Sequence, residues 1–277
     1  MSAPRGARPE VVATATTYLD ALLSHDARSA RLGTGVRRVA NGRQALEGDD
    51  AVRAVIAHEP VGAIGSLDWV VDGDTAAALY DLDADMTRVN GIDDFGPRER
   101  WIPAYVAERF RVVDGAIAEI ELVHAATAVG TARPPRPERY PRGRGDAAPS
   151  RDQLVAAASA YLDALVSHDA SAVPLAPQAW RVENGRNSGD SGAEIARALE
   201  ADIMGVVTGV RDLVWCVEDD TAIVFYTLDV DLGRLPNVLT TGDAAGSETS
   251  AKRLGERFRV HDGLLAEIEV VIPADDM

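Results

Sequence analysis

Apolar residues recur at helical spacing near the start of the chain, at Val11, Val12, Ala15, Tyr18, Leu19, Leu22 and Leu23. The same spacing returns at Leu154, Val155, Ala158, Tyr161, Leu162, Leu165 and Val166. Each run predicts an amphipathic helix that ends near a histidine, His25 or His168, with Asp26 or Asp169 placed to cap a short following helix. Ser150 with Gln153, and Ser191 with Glu194, have capping-box spacing; the second pair opens a later helix whose counterpart starts near Asp49. Most of the rest reads as strand. Asp68–Tyr80 and Val214–Tyr226 are each a strand, a tight turn and a long strand. Glu108–Val113 and Ala116–Val123 flank Asp114-Gly115, and Asp262-Gly263 repeats that turn; Asp-Gly between alternating segments is a strong hairpin signal.

These patterns occur twice because the chain is a duplication. Tyr18-Leu-Asp-Ala-Leu-Leu-Ser-His-Asp-Ala27 returns as Tyr161-Leu-Asp-Ala-Leu-Val-Ser-His-Asp-Ala170, and Glu108-Arg-Phe-Arg-Val-Val-Asp-Gly115 as Glu256-Arg-Phe-Arg-Val-His-Asp-Gly263. A period this long marks tandem domains, since solenoid repeats run about 20–50 residues. Helices followed by an antiparallel meander give an α+β class for each. The expected boundaries are residues 1–129 for the first unit, 130–149 for a Pro/Arg/Gly-rich linker, and 150–277 for the second unit. The linker's prolines favour extended chain and it has nothing with which to build a core.

Composition narrows the partners. A net charge of −16 over 277 residues repels phosphate backbones, which argues against nucleic acid and anionic membranes. No stretch is apolar for long enough to span a bilayer, and the N-terminal residues lack the apolar region of a secretory signal, so the expected location is cytoplasmic. Cys216, the one cysteine, falls in a strand-like apolar run and reads as a small buried hydrophobe.

The order of helices and a sheet ending in Arg109-Phe-Arg-Val-x-Asp-Gly-x-x-Ala-Glu-Ile-Glu121, with Tyr-Leu-Asp-Ala-Leu-x-Ser-His-Asp before it, resembles the SnoaL-like branch of the nuclear transport factor 2-like superfamily. The resemblance covers residues 9–126 and 150–273. It implies a cone in each unit, with helices closing over a curved antiparallel sheet around an apolar pocket, and no cofactor. It also implies an internal pseudo-dimer of the two units, with a homo-oligomer possible beyond that. Compared with the ketosteroid isomerases of that superfamily, Tyr18 and Tyr161 match the first-helix tyrosine that donates to an oxyanion, or else pack in the core. Asn41 and Asn184 fall where those enzymes carry a basic aspartate. An amide cannot take a proton from carbon, so they are expected to contact substrate, or to serve a turn beside Gly42 and Gly185. Glu108 and Glu256 look like the second, protonated donor. Strand alternation puts Glu256 with Phe258 and Val260, away from Arg257 and Arg259. A carboxyl on an apolar face has a raised pKa and can act as acid, base or donor. Trp69, Trp215, Tyr80 and Tyr226 recur on strands as core or as pocket wall.

Other constellations carry less. Asp81, Asp83 and Asp85 share a strand face but lack the glycine and glutamate of a calcium loop, so they read as a solvated outer face or a domain contact. The five histidines show no zinc-ligand spacing; His25 and His168 stand where a cation complements a helix end. The loops after the long strands, Gly233–Ala251 and the segment with Phe95 and Trp101, are expected to gate the pockets. Three functions remain open: a cofactor-independent acid–base enzyme (isomerase, cyclase, dehydratase or epoxide hydrolase) acting on a small apolar polyketide, terpenoid or steroid-like substrate; a non-catalytic binder of such ligands; or a structural or interaction module.

Overall fold

A computed structural model of the chain describes residues 8–88, 100–127, 149–234 and 249–273. The expected linker and most of both gating loops lie outside the described residues. The chain divides along its length into two compact units.

In the first unit, α1 (Arg8–Ser24) is followed by β1 (Leu32–Ala40), β2 (Gln44–Glu47), α2 (Asp49–His58), β3 (Val61–Asp72), β4 (Thr75–Asp85), β5 (Trp101–Val113) and β6 (Ala116–Ala126). The second repeats this as α3 (Arg151–Ser167), β7 (Leu175–Glu183), β8 (Arg186–Gly189), α4 (Gly192–Leu199), β9 (Val207–Glu218), β10 (Thr221–Asp231), β11 (Thr249–His261) and β12 (Leu264–Val271). Each unit holds one six-stranded sheet, in the order β2-β1-β6-β5-β4-β3 and β8-β7-β12-β11-β10-β9. This is the α+β architecture the repeats predict, with one difference from a purely antiparallel sheet. β1 pairs parallel with β6, and β7 with β12, because helix and hairpin return the chain to the far edge of the meander.

Local chemistry sets these elements. Asp114 and Gly115 both have positive φ, as do Asp262 and Gly263, the backbone that a two-residue hairpin turn requires. Ser66 and Asp212, also at positive φ, lie at breaks in the β3–β4 and β9–β10 registers, and such bulges bend a strand. Ser150 and Gln153 form the full reciprocal capping box at the start of α3. Ser150→Ala should therefore lower stability by about 1 kcal/mol, measurable by urea unfolding. After α1 and α3 the expected short helix is absent. Asp26 and Asp169 instead accept the backbone N–H two residues on, making a single Asx turn.

The core lies between the helix and one face of each sheet. Tyr18 meets Phe110 edge to face at 5.4 Å, and Tyr161 meets Phe258 at 5.3 Å. On the opposite face the arginines of the Arg-Phe-Arg motif find carboxylates on the next strand: Arg109 with Glu121, Arg111 with Glu119, Arg257 with Glu269 and Arg259 with Glu267. They are thereby kept from the glutamates of the inner face. Of the two readings of the aspartate row, a solvated face or a domain contact, the solvated face does not hold for Asp81 and Asp85. Asp81 and Asp85 are only 2% and 4% exposed, and Asp85 is gripped by Arg100 at 2.6 Å and by Thr87.

Candidate functional site

The register of the central strands assembles the site. Ala78 pairs with Glu108 and Tyr80 with Val106, while Glu108 pairs with Leu122 and Arg38 with Ile120. Tyr80, Glu108, Leu122 and Arg38 therefore share one face of the sheet, with Tyr80 diagonal to Glu108. They line a cavity of about 240 Å³ together with Tyr18 and Leu22 from α1 and Glu59, Pro60 and Val61 from the corner after α2. Leu82, Ala84, Ala104, Val106 and Ala126 supply most of the apolar wall, and His124 joins it.

The polar groups form one network. Tyr80 donates its hydroxyl to Glu108 Oε2 at 2.7 Å. Arg38 Nε donates to the Tyr18 oxygen at 3.0 Å, and its Nη2 pairs with Glu59. Because Tyr18 accepts from Arg38, its own proton remains available to a ligand. Glu108 is 1% exposed. Burial pushes its pKa up to about 8 and nearby Glu59 adds to the rise, while the Tyr80 bond and Arg38 pull it back, so at neutral pH it is mostly a neutral acid. Burial raises Glu59 as well, with Arg38 offsetting part of the rise. Burial likewise drives the Tyr18 hydroxyl well above its ordinary value and keeps it protonated.

The second unit repeats the inner residues. Tyr226 donates to Glu256 Oε2 at 2.8 Å, and Arg181 Nε donates to the Tyr161 oxygen at 2.8 Å. Burial lifts Glu256 to about 7 against the pull of Arg181 and Tyr226. Its other oxygen, Oε1, is buried with no hydrogen-bond partner among the described residues.

The structure thus brings Tyr18, Tyr80 and Glu108 together in one cavity, and bonds Tyr226 to Glu256 in the second unit. It does not bring in the asparagines. Asn41 and Gly42 are the centre of the β1–β2 turn, both at positive φ, and Asn41 Oδ1 accepts the backbone N–H of His124 at 2.9 Å. Asn184 and Gly185 hold the same backbone between β7 and β8. Asn-Gly is hairpin chemistry, and it overrides the match to a substrate contact. Trp69 stands edge to face with Phe110 at 5.8 Å, in the core rather than the cavity wall, and Trp215 holds its register position in β9. His25 and His168 adopt the left-handed backbone that ends a helix. Burial and neighbouring Arg88 lower the His25 pKa, which works against the helix-end cation expected there.

Sequence reasoning missed Arg38, Arg181 and Glu59. The arginines had a signal: Arg38-Val39-Ala40-Asn41-Gly42 and Arg181-Val182-Glu183-Asn184-Gly185 repeat, with the arginine just upstream of the turn. Glu59 had none, because it is not repeated.

Residues 4–124 and 147–272 each match the family model described as a domain of unknown function, DUF8021. The chain belongs to the DUF8021 family, twice over. No curated protein sequence matches it. Among solved structures, it is similar to an LEH-like epoxide hydrolase of M. tuberculosis, at 18% identity over 42% of this chain and 83% of that one, with a TM-score of 0.34. A putative ketosteroid isomerase from Kribbella flavida DSM 17836 is 17% identical over 52% of this chain and 93% of its own, also with a TM-score of 0.34. A putative SnoaL-like polyketide cyclase from Jannaschia sp. CCS1 is 20% identical over 42% and 85%, again at 0.34. No helix among the described residues of the DUF8021 tandem is long and apolar enough to cross a membrane.

Proposed function

We propose that the first DUF8021 unit is a cofactor-independent acid–base enzyme acting on a small, mostly apolar molecule that carries a carbonyl or comparable oxygen. One observation carries this reading: a buried, neutral Glu108 and a Tyr18 hydroxyl with its proton free both line a cavity whose walls are otherwise largely apolar. Two such donors favour a state in which negative charge gathers on a ligand oxygen, and a water-poor cavity strengthens their effect. Size limits the substrate. At about 240 Å³ the cavity falls below the roughly 300–1,000 Å³ of drug-sized sites, which favours a terpenoid or short polyketide over a steroid.

A non-catalytic binder is the second reading, favoured because Asn41 lies in a turn and leaves the first strand without a proton acceptor in the cavity. Thermal-shift screening of terpenoid, polyketide and epoxide panels, followed by turnover assays on the hits, separates the two. A ligand at a thousand times its dissociation constant should stabilise the protein by about 4 kcal/mol. Glu108→Gln should then cut turnover by about 10²–10⁴-fold while the ligand still binds. Ligands that bind without turnover would establish the binder instead, and no shift from any panel would leave the interaction module.

A further inference from the structure

Glu59 occupies the corner between α2 and β3, in extended backbone just before Pro60. A residue ahead of proline is driven out of helical conformation, so the sequence itself ends α2 here and turns the next side chain across the sheet. Glu59 consequently lines the cavity and pairs with Arg38, the residue that also holds the Tyr18 oxygen. Of the two carboxyls in the cavity lining, Glu59 is the one paired directly with a guanidinium, that of Arg38.

Among the described side chains the second unit has no equivalent: Glu200, which follows α4 as Glu59 follows α2, is exposed. β3 and β9 begin at Val61 and Val207, and the residue two places before each is Glu59 in one and Gly205 in the other. Arg181 is paired instead with Glu183 of its own strand at 2.9 Å, where the first unit has Ala40, and with Ser188. Among the described side chains, the arginine is duplicated and the carboxylate over the cavity is not.

We infer that Glu59 is the proton acceptor of the first unit, and that the second unit, lacking it, does not turn substrate over. This rests on the acid–base reading above. Glu59 takes a proton from the carbon next to a ligand carbonyl. The C–H bond breaks, an O–H bond forms on Glu59, and the electron pair moves through the carbonyl to give an enolate. Tyr18 and protonated Glu108 receive the enolate oxygen. The proton on Glu59 exchanges with solvent, and Glu59 then gives a proton back to that carbon or to a conjugated carbon, which restores the carboxylate and consumes nothing else.

Menthone, a compact ketone that exchanges its α-protons and epimerises only through its enol, is the probe. Full-length protein in D₂O is followed by NMR for deuterium incorporation and by thermal shift for binding. Wild type is expected to catalyse exchange, and Glu59→Gln to slow it by about 10²-fold or more with the binding midpoint unchanged. Glu59→Asp should keep part of the rate, which guards against a fold defect in the amide variant. Adding Gly205→Glu with Glu183→Ala to Glu59→Gln should restore exchange from the second unit, since a Cβ at Gly205 meets nothing within 4 Å. Exchange undiminished in Glu59→Gln, or abolished by Glu256→Gln instead, overturns the inference and leaves the acid–base reading standing. Menthone bound by wild type without exchange sinks that reading itself, and failure of menthone to bind sinks both.

Discussion

Raising the pH from 6 to 8 is expected to cost the first unit about 2–3 kcal/mol of stability, and Glu108→Gln should remove that dependence. Glu108 binds its proton in the folded protein up to about pH 8, against an ordinary value of 4.5. Above 4.5 the unfolded chain has released that proton while the folded chain keeps it. The stabilising contribution is thus whole below 4.5 and is lost as pH rises through 8, at about 1.4 kcal/mol per pH unit. Glu256, at about 7, gives the second unit the same sign over a shorter window. His25 opposes this at the acid end: its lowered pKa means stability is lost as pH falls through its ordinary 6.5. Asp85, held far below the usual carboxylate range by Arg100, stays ionised throughout and adds no slope. Glutamine keeps an oxygen for the Tyr80 hydroxyl and has no proton to lose, so Glu108→Gln should be more stable than wild type at pH 8 while failing in turnover. Urea unfolding at pH 6, 7 and 8 is the check. Equal slopes in the two proteins would show that Glu108 is ionised in its cavity.

That dependence comes from a feature partly legible in the sequence. Alternation along Glu256, Phe258 and Val260 places the glutamate on the apolar face, and the paired arginines of the other face confirm the alternation. Helical spacing likewise places Tyr18 toward the sheet. The hairpins and the α3 cap were readable because Asp-Gly and Ser-x-x-Gln act within a few residues. What was not readable depends on distant pairing. The parallel contact of β1 with β6 joins segments about eighty residues apart, with no local mark of it. The Asn-Gly pairs carried two meanings, substrate contact by resemblance and turn by backbone chemistry, and the turn wins because both residues must reach positive φ. Glu59 was not legible because the repeat marks what both copies share, and its place over the cavity belongs to one copy.

That difference gives the last expected result: the same substitution should cost unequal amounts in the two units. Arg38→Leu is expected to destabilise the first unit by about 2–3 kcal/mol, and Arg181→Leu the second by about 1 kcal/mol or less. Each change strips a hydrogen bond from a buried tyrosine oxygen, Tyr18 or Tyr161, so that part of the loss is common to both. The carboxylates differ. The Glu59 side chain is 29% exposed and remains over the cavity without its counter-cation, whereas that of Glu183 is 42% exposed at a strand end and can turn into water. Arg38 also lowers the Glu108 pKa, so its removal should lift that value further and steepen the loss of stability above pH 6. In Arg38→Leu/Glu59→Gln the stranded charge is gone, and most of the deficit should return. The cycle of single and double variants, read by urea unfolding at pH 7, isolates the pair energy. If the double variant is as unstable as the sum of its parts, Glu59 does not depend on Arg38 for its charge. The arginine would then act mainly through Tyr18, and the two units should respond alike.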